Sequence, residues 1–231
     1  VLVKSSNIGT VHLADMIGTT RQRDFLRRLG LMDPTPIELI EGPTGRPNSP
    51  EPWRDIHRAT ISYGHGLSTS QIHLAAAYAS IVNGGTQVTP TLLRQNHVEP
   101  GIRVVSPRVS QTVTQMLRRV VTEGTASYGE VPGYSVGGKT GTADKPNPRG
   151  GYYDDKVLAS FASVFPTHDP QYVLIVTLDE PEVFAAGEDR RTAGWTAVPV
   201  AAEVIRRIAP LLGVVPTVEP NTEPGVVLTG N

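Results

Sequence analysis

Several things are missing from this 231-residue sequence, and each absence narrows what it can be. It contains no cysteine, which excludes disulfides and thiolate chemistry but does not choose between an oxidising and a reducing compartment. No apolar run approaches the roughly 20 residues a helix needs to cross a bilayer, and none of these residues reads as a signal peptide. A formal net charge of −1, with 19% charged residues, supplies no basic field for nucleic acid and no acidic signature of disorder. The six histidines (His12, His57, His65, His73, His97, His168) lack a ligand spacing such as His-x₃-His, so no metal is expected; no other cofactor is expected. There is no internal repeat. Nor is there an initiator methionine: the chain opens Val1-Leu2-Val3 and is expected to be the middle of a longer polypeptide.

What is present reads as one large domain with enough length for a real core. Lys4-Ser5-Ser6-Asn7 precedes Ile8, Val11 and Ala14, where Ser or Asn would serve as a helix N-cap. Thr20 reads as the cap of a helix from Arg21 to Leu29, with Phe25, Leu26 and Leu29 inward and Gly30 at the C-terminal glycine position. Its arginines, Arg21, Arg23, Arg27 and Arg28, read as a solvated face. Residues 33–55 hold six prolines and form a long connection, with Trp53 as its anchor. Ser68 and Gln71 suggest a capping box for a helix carrying Ile72, Ala75, Ala76, Ala79 and Val82, which stops at Gly84-Gly85. Its small side chains imply close packing against another helix. Ser106-Pro107 opens a further helix with Val109, Val113, Met116, Leu117 and Val120 on one face and Gly124 at its end.

The central stretch is Val136-Gly137-Gly138-Lys139-Thr140-Gly141-Thr142-Ala143. In a strand, Thr140 and Thr142 share one face, and Lys139 and Gly141 the other. A cation beside two hydroxyls and open main-chain N–H groups suits a carboxylate or a developing oxyanion. A surface hairpin with an incidental lysine would read the same way. Val157 to Phe165 is then a strand, Pro166 to Pro170 a hairpin connection, and Tyr172 to Leu178 an apolar, β-branched strand covered on both faces. Ala201, Val204, Ile205, Ile208, Leu211 and Leu212 line a last amphipathic helix ending at Gly213. Helices first, then a strand meander, then a covering helix make the fold class α+β. The domain is expected over 1–213, with a loose Pro/Thr/Glu-rich tail over 214–231.

Ser5-x-Asn7 and Lys139-Thr140-Gly141, in this order with helices between them and a hairpin after, resemble two of the three motifs of the penicillin-recognising serine enzymes. The contexts Lys4-Ser5-Ser6-Asn7-Ile8-Gly9, Arg58-Ala59-Thr60-Ile61-Ser62-Tyr63-Gly64-His65-Gly66-Leu67 and Gly137 to Ala143 resemble the class B penicillin-binding proteins. Trp53-Arg54-Asp55-Ile56 is similar to their division-specific branch. The resemblance runs from Val1 to the end of the last helix. It implies a transpeptidase domain like that of penicillin-binding proteins and serine β-lactamases, an antiparallel sheet flanked by helices, here incomplete at its N-terminal side.

The activity implied is D,D-transpeptidation in peptidoglycan cross-linking. A serine attacks D-Ala-D-Ala, and β-lactams mimic that dipeptide and stay bound as acyl-enzymes. Carried over by position, Ser5 relays a proton, Asn7 holds the acyl-chain amide, Lys139 supplies positive potential, and Thr142 offers an oxyanion-hole N–H. Thr140 and Thr142 grip the terminal carboxylate, with Ser6, Gly141 and His65 also at the substrate. His65 stands where many relatives have tyrosine; it reads equally as a groove wall or as a turn residue between glycines. Stem peptides, β-lactams, division-complex membrane proteins and the missing N-terminal part of the same protein are the implied partners. An extracytoplasmic location on the cytoplasmic membrane follows from the resemblance, with the anchor outside this chain.

One motif of the family is absent. Three residues before Lys4, Lys139, Lys145 and Lys156 stand Val1, Val136, Thr142 and Tyr153, so the chain has no Ser-x-x-Lys. Loss of such a nucleophile costs on the order of 10⁶ in rate, and the isolated chain is expected to be inactive. The rival readings are a scaffold module of the same fold and a serine β-lactamase, the latter lacking a recognisable deacylating glutamate here.

Overall fold

The structure, a computed structural model, describes residues 1–35, 37–40, 42, 47–97 and 99–217. The first half is helical: α1 (Asn7–Ile17), α2 (Thr19–Arg28), α3 (Asp55–Ser62), α4 (Gln71–Val82) and α5 (Pro107–Glu123). Three antiparallel strands follow, β1 (Gly137–Pro146), β2 (Tyr152–Phe165) and β3 (Tyr172–Asp179), in the spatial order β1-β2-β3. A small hairpin of β4 (Val183–Ala185) and β5 (Glu188–Arg190) precedes the last helix, α6 (Ala197–Leu211). The α+β layout expected from the sequence is the one observed.

Local chemistry sets the helix starts, though not always at the residue first read. Ser106 accepts from the Val109 N–H at 3.3 Å and Pro107 occupies the first helical position, as expected. For α4 the cap is Ser70, paired with His73 in a capping box, and not Ser68 with Gln71. Ser68 is occupied elsewhere: its N–H and C=O pair with Asn48 at 3.0 Å each, so its backbone is extended. For α2 the cap is Gly18 (φ 82°), two residues ahead of the expected Thr20. Of its arginines, Arg21, Arg27 and Arg28 are exposed as expected, and Arg23 is half-buried. Arg23 lies over Trp53 at 6.0 Å and pairs with Glu51, while Arg28 donates to the Arg103 and Val104 carbonyls. Trp53 does anchor the proline-rich connection, by this stack.

The inward face of α5 is Ser110, Thr114, Leu117, Val120 and Val121, whereas the expected Val109 and Met116 are exposed. The two hydroxyls on this face are hydrogen-bonded: Thr114 donates to the Ser110 carbonyl, and Ser110 accepts from the Gly84 N–H. The small side chains of α4 serve sheet as well as helix, since α4 packs on β2, β3 and α5. Phe161, Phe165, Val198, Ile205, Val120, Val121 and Val136 form the main core between the sheet, α5 and α6. Burying a side chain such as Ile205 contributes about 1.5–3 kcal/mol.

Strand β2 is longer than the expected 157–165, because it begins at Tyr152, which pairs with Pro146 at the end of β1 beyond a shift in register. β3 has α4 on one side and α6 on the other, yet every residue from Tyr172 to Leu178 is only half-buried, since β3 is an outer strand. Residues 214–217, read as the start of a loose tail, are attached to the body. Val214 is buried and donates to the Ala209 carbonyl, and Thr217 donates to Gly133. Residues 218–231 lie outside the described part.

Candidate active site

The site begins with a tight turn at the start of the chain. The Ser5 and Ser6 N–H groups donate to the Leu2 and Val1 carbonyls at 3.1 Å each. Ser5 takes a left-handed backbone (φ 51°), an uncommon state for a residue with a Cβ and one that surrounding structure must hold. Ser6 then caps α1 by accepting from the Gly9 N–H at 3.1 Å. Its hydroxyl oxygen therefore satisfies a helix end, while its hydrogen stays free to donate. Asn7, the first residue of α1, is exposed, and its amide has no hydrogen-bond partner among the described residues.

The helix carrying Asn7 is pinned from behind. Arg58 of α3 donates to Asp15 of α1 at 2.8 Å, to Asp55 at 2.7 Å and to Thr19 at 3.2 Å. The eight residues of α3 carry no marked signal in the sequence. Two or three turns of helix flanked by prolines and glycines carry little periodic signal.

The second part of the site is β1. Gly137 and Gly138 let it seat deeply: a Cβ at Gly138 would lie 2.5 Å from the Ala162 carbonyl oxygen, and one at Gly137 would lie 2.9 Å from the Arg118 nitrogen on α5. At Gly141, by contrast, a Cβ would meet nothing within 4 Å. The strand is thus tight where it enters the core and open where the motif ends. Lys139 is half-buried, and burial holds its ammonium below the ordinary lysine pKa of 10.5. Its Nζ donates to Ser5 Oγ at 2.8 Å, to the Thr140 carbonyl at 2.8 Å and to Thr140 Oγ1 at 3.4 Å. Thr142 is exposed on β1, with Oγ1 accepting from the Ala193 N–H at 3.0 Å.

Ser5, Lys139, Thr140 and Thr142 are therefore brought into one neighbourhood, with Asn7 two residues from Ser5. His65 stands on the far wall of a cleft of about 570 Å³ that Gly141, Thr142, Ala143 and Asp144 also line. It sits between Gly64 (φ 100°) and Gly66 (φ 85°) and packs tilted against Tyr63 at 5.6 Å and Tyr152 at 6.1 Å. It is both a turn residue and a wall residue. Thr125 was not anticipated. It follows α5 in a turn-rich segment, and its Oγ1 lies 2.8 Å from Thr140 Oγ1. Nothing in the local sequence pattern marks it, because the contact spans 15 residues.

An ammonium, three hydroxyls and an exposed strand edge beside an aromatic-walled cleft have the chemistry to hold an anion. Known proteins share this arrangement of sequence and fold. The family described as the penicillin binding protein transpeptidase domain matches residues 1–206. A probable peptidoglycan D,D-transpeptidase FtsI of Caulobacter vibrioides is 39% identical over 227 residues, covering 93% of this chain and 38% of the relative. The peptidoglycan D,D-transpeptidase FtsI of Escherichia coli is 32% identical over 232 residues, covering 100% of this chain and 37% of the relative. Among solved structures, penicillin binding protein 3 from Mycobacterium tuberculosis in complex with ampicillin superposes with a TM-score of 0.84 at 31% identity, covering 95% of this chain and 52% of that one. The transpeptidase domain of Burkholderia pseudomallei penicillin-binding protein 3 gives a TM-score of 0.81 at 34% identity, covering 93% of this chain and 64% of that one. The chain thus spans well under half the length of these two curated relatives. With the motif strand, the Ser-x-Asn turn and the helices between them all inside the matched stretch, this chain belongs to the penicillin-binding protein transpeptidase domain family.

Proposed function

We propose that this chain forms the carboxylate-gripping and proton-relaying side of a peptidoglycan D,D-transpeptidase active site serving cell division. The observation that carries the reading is the 2.8 Å contact from Lys139 Nζ to Ser5 Oγ, made by residues 134 apart in sequence. In the reaction a serine oxygen bonds to the carbonyl carbon of the penultimate D-Ala. The bond to the terminal D-Ala nitrogen breaks, and that nitrogen takes up a proton passed through Ser5. An amine of a neighbouring stem peptide then displaces the serine, which recovers its proton. Lys139, Thr140 and Thr142 hold the terminal carboxylate, the Thr142 N–H stabilises the developing oxyanion, and Asn7 holds the acyl-chain amide. Gly141 leaves room for the peptide along β1, and His65 walls the cleft. A β-lactam would enter the same cradle and open on the same serine. The site would work at the extracytoplasmic face of the membrane, where stem peptides are, beside other division proteins.

The sequence contains no Ser-x-x-Lys, so the attacking serine is assigned to residues outside these 231. The polypeptide alone is expected to acquire no covalent adduct from a fluorescent penicillin, as judged by gel and mass spectrometry. In a longer protein that carries this sequence and is labelled, Thr142→Pro should lower the acylation rate by roughly 10²–10³, the usual cost of losing an oxyanion-hole donor. An adduct mapped to the 231-residue polypeptide, or a Thr142→Pro protein acylated at the wild-type rate, would overturn the assignment.

A further inference from the structure

We infer that Thr125 is a positioning residue that orients the Thr140 hydroxyl and fastens the Ser5 turn to β1 for carboxylate binding. Three groups of this one residue face three different segments. Its hydroxyl lies 2.8 Å from Thr140 Oγ1 on β1. Its N–H donates to the Val3 carbonyl at 3.4 Å, in the turn that presents Ser5. Its carbonyl oxygen lies beside Gly194, where a Cβ would sit only 2.7 Å away, and the neighbouring Ala193 N–H donates to Thr142 Oγ1. The contacts close a ring: Thr125 to Thr140, Thr140 to Lys139 Nζ, Lys139 to Ser5, and the Ser5 turn back to Thr125.

The backbone of Thr125 is fixed on both sides. Ala126 is fully buried and donates to the Val120 carbonyl, and a Cβ at Gly124 would lie 2.5 Å from the Val3 carbonyl oxygen. A threonine hydroxyl alone turns freely about its C–O bond, and the side chain can choose among rotamers. Tied to Thr125, the Thr140 oxygen has one place to be. When a carboxylate arrives, Thr140 can donate to it while accepting from Thr125, and such chains strengthen their members.

The carboxylate part of the inference rests on the function proposed above; the ordering of Thr140 does not. Thr125 is exposed, so Thr125→Val removes the hydroxyl at almost constant shape, and Thr125→Ser returns it. In the ligand-free protein, three-bond NMR couplings should show one Thr140 χ1 rotamer in the wild type and in Thr125→Ser, and an average in Thr125→Val. N-acetyl-D-Ala-D-Ala should bind Thr125→Val about fivefold more weakly, the effect of one net hydrogen bond. Its C-terminal amide should be unaffected, and Thr125→Ser should recover wild-type affinity for the acid. A single Thr140 rotamer in Thr125→Val, or equal weakening for acid and amide, overturns the inference. If the wild type shows no preference for acid over amide while Thr140 is averaged in Thr125→Val, the positioning role stands and the functional reading falls.

Discussion

At the scale of single residues, Lys139 combines two requirements that work against each other. Its ammonium must be close to the hydroxyls and far enough from water to attract a carboxylate strongly, and that same burial disfavours the charge. With a folded pKa below the unfolded value of 10.5, folding is penalised while the lysine is protonated. That penalty is fully present at neutral pH and disappears as pH rises through the folded pKa toward 10.5. The Cε resonance of Lys139 should therefore titrate below 10.5 in the free protein and shift upward when N-acetyl-D-Ala-D-Ala is bound. Affinity for that ligand should fall as pH rises through the free-protein value. A normal lysine titration, unmoved by ligand, would show that Lys139 is neither buried enough nor close enough to act as the grip. Thr142→Pro and Thr125→Val belong to this scale as well, each removing one donor from the same cradle.

At the scale of elements, β1 is a strand with two different halves. Gly138 lies where β2 presses closest, with a built Cβ falling 2.5 Å from the Ala162 carbonyl and 2.6 Å from the Phe161 ring. Gly141 opens onto space. Gly138→Ala should accordingly cost about 1–3 kcal/mol in chemical denaturation, the usual penalty for overpacking. Gly141→Ala should leave the denaturation midpoint nearly unchanged but weaken binding of N-acetyl-D-Ala-D-Ala by placing a methyl group in the ligand's path. Equal destabilisation by the two changes would contradict this division of the strand. The motif lysine is thus held by the rigid half and faces the half a ligand can reach.

At the scale of the whole molecule, the sheet has a well-covered centre and an outer strand whose far edge is unpaired among the described residues. β3 is apolar from Tyr172 to Leu178 and half-buried throughout, and exposed edges of this kind template pairing with other chains. Ile8, Met16 and Ile17 on α1 are likewise exposed. The 231-residue polypeptide should therefore self-associate with rising concentration in sedimentation velocity. A single ideal monomer boundary at high concentration would refute this.

Much of the architecture was legible because it depends on neighbours in sequence. Ser106-Pro107 starts α5, Gly30 follows α2 with a left-handed backbone, and the β-branched run of Tyr172 to Leu178 makes a strand. Propensity, capping and period act over a few residues, so the chain states them locally. The motifs at Ser5 to Asn7 and Lys139 to Thr142 were also visible as text. What they do together was not, because the Lys139–Ser5 contact is made only when β1 packs beside the turn before α1. The same physics explains the misses. Ser68 reads as a cap but is bridged to Asn48, and Val109 and Met116 read as core but lie outside the face of α5 that packs inward. Thr125 carries no local signal at all, because its partner Thr140 lies 15 residues away. By itself the sequence determined most of the helices and the three main strands and displayed the motif residues as text, while α3 and Thr125 left no mark in it. Tertiary structure alone decided which of them meet, since hydrogen bonds between distant segments depend on a packing that no local pattern encodes.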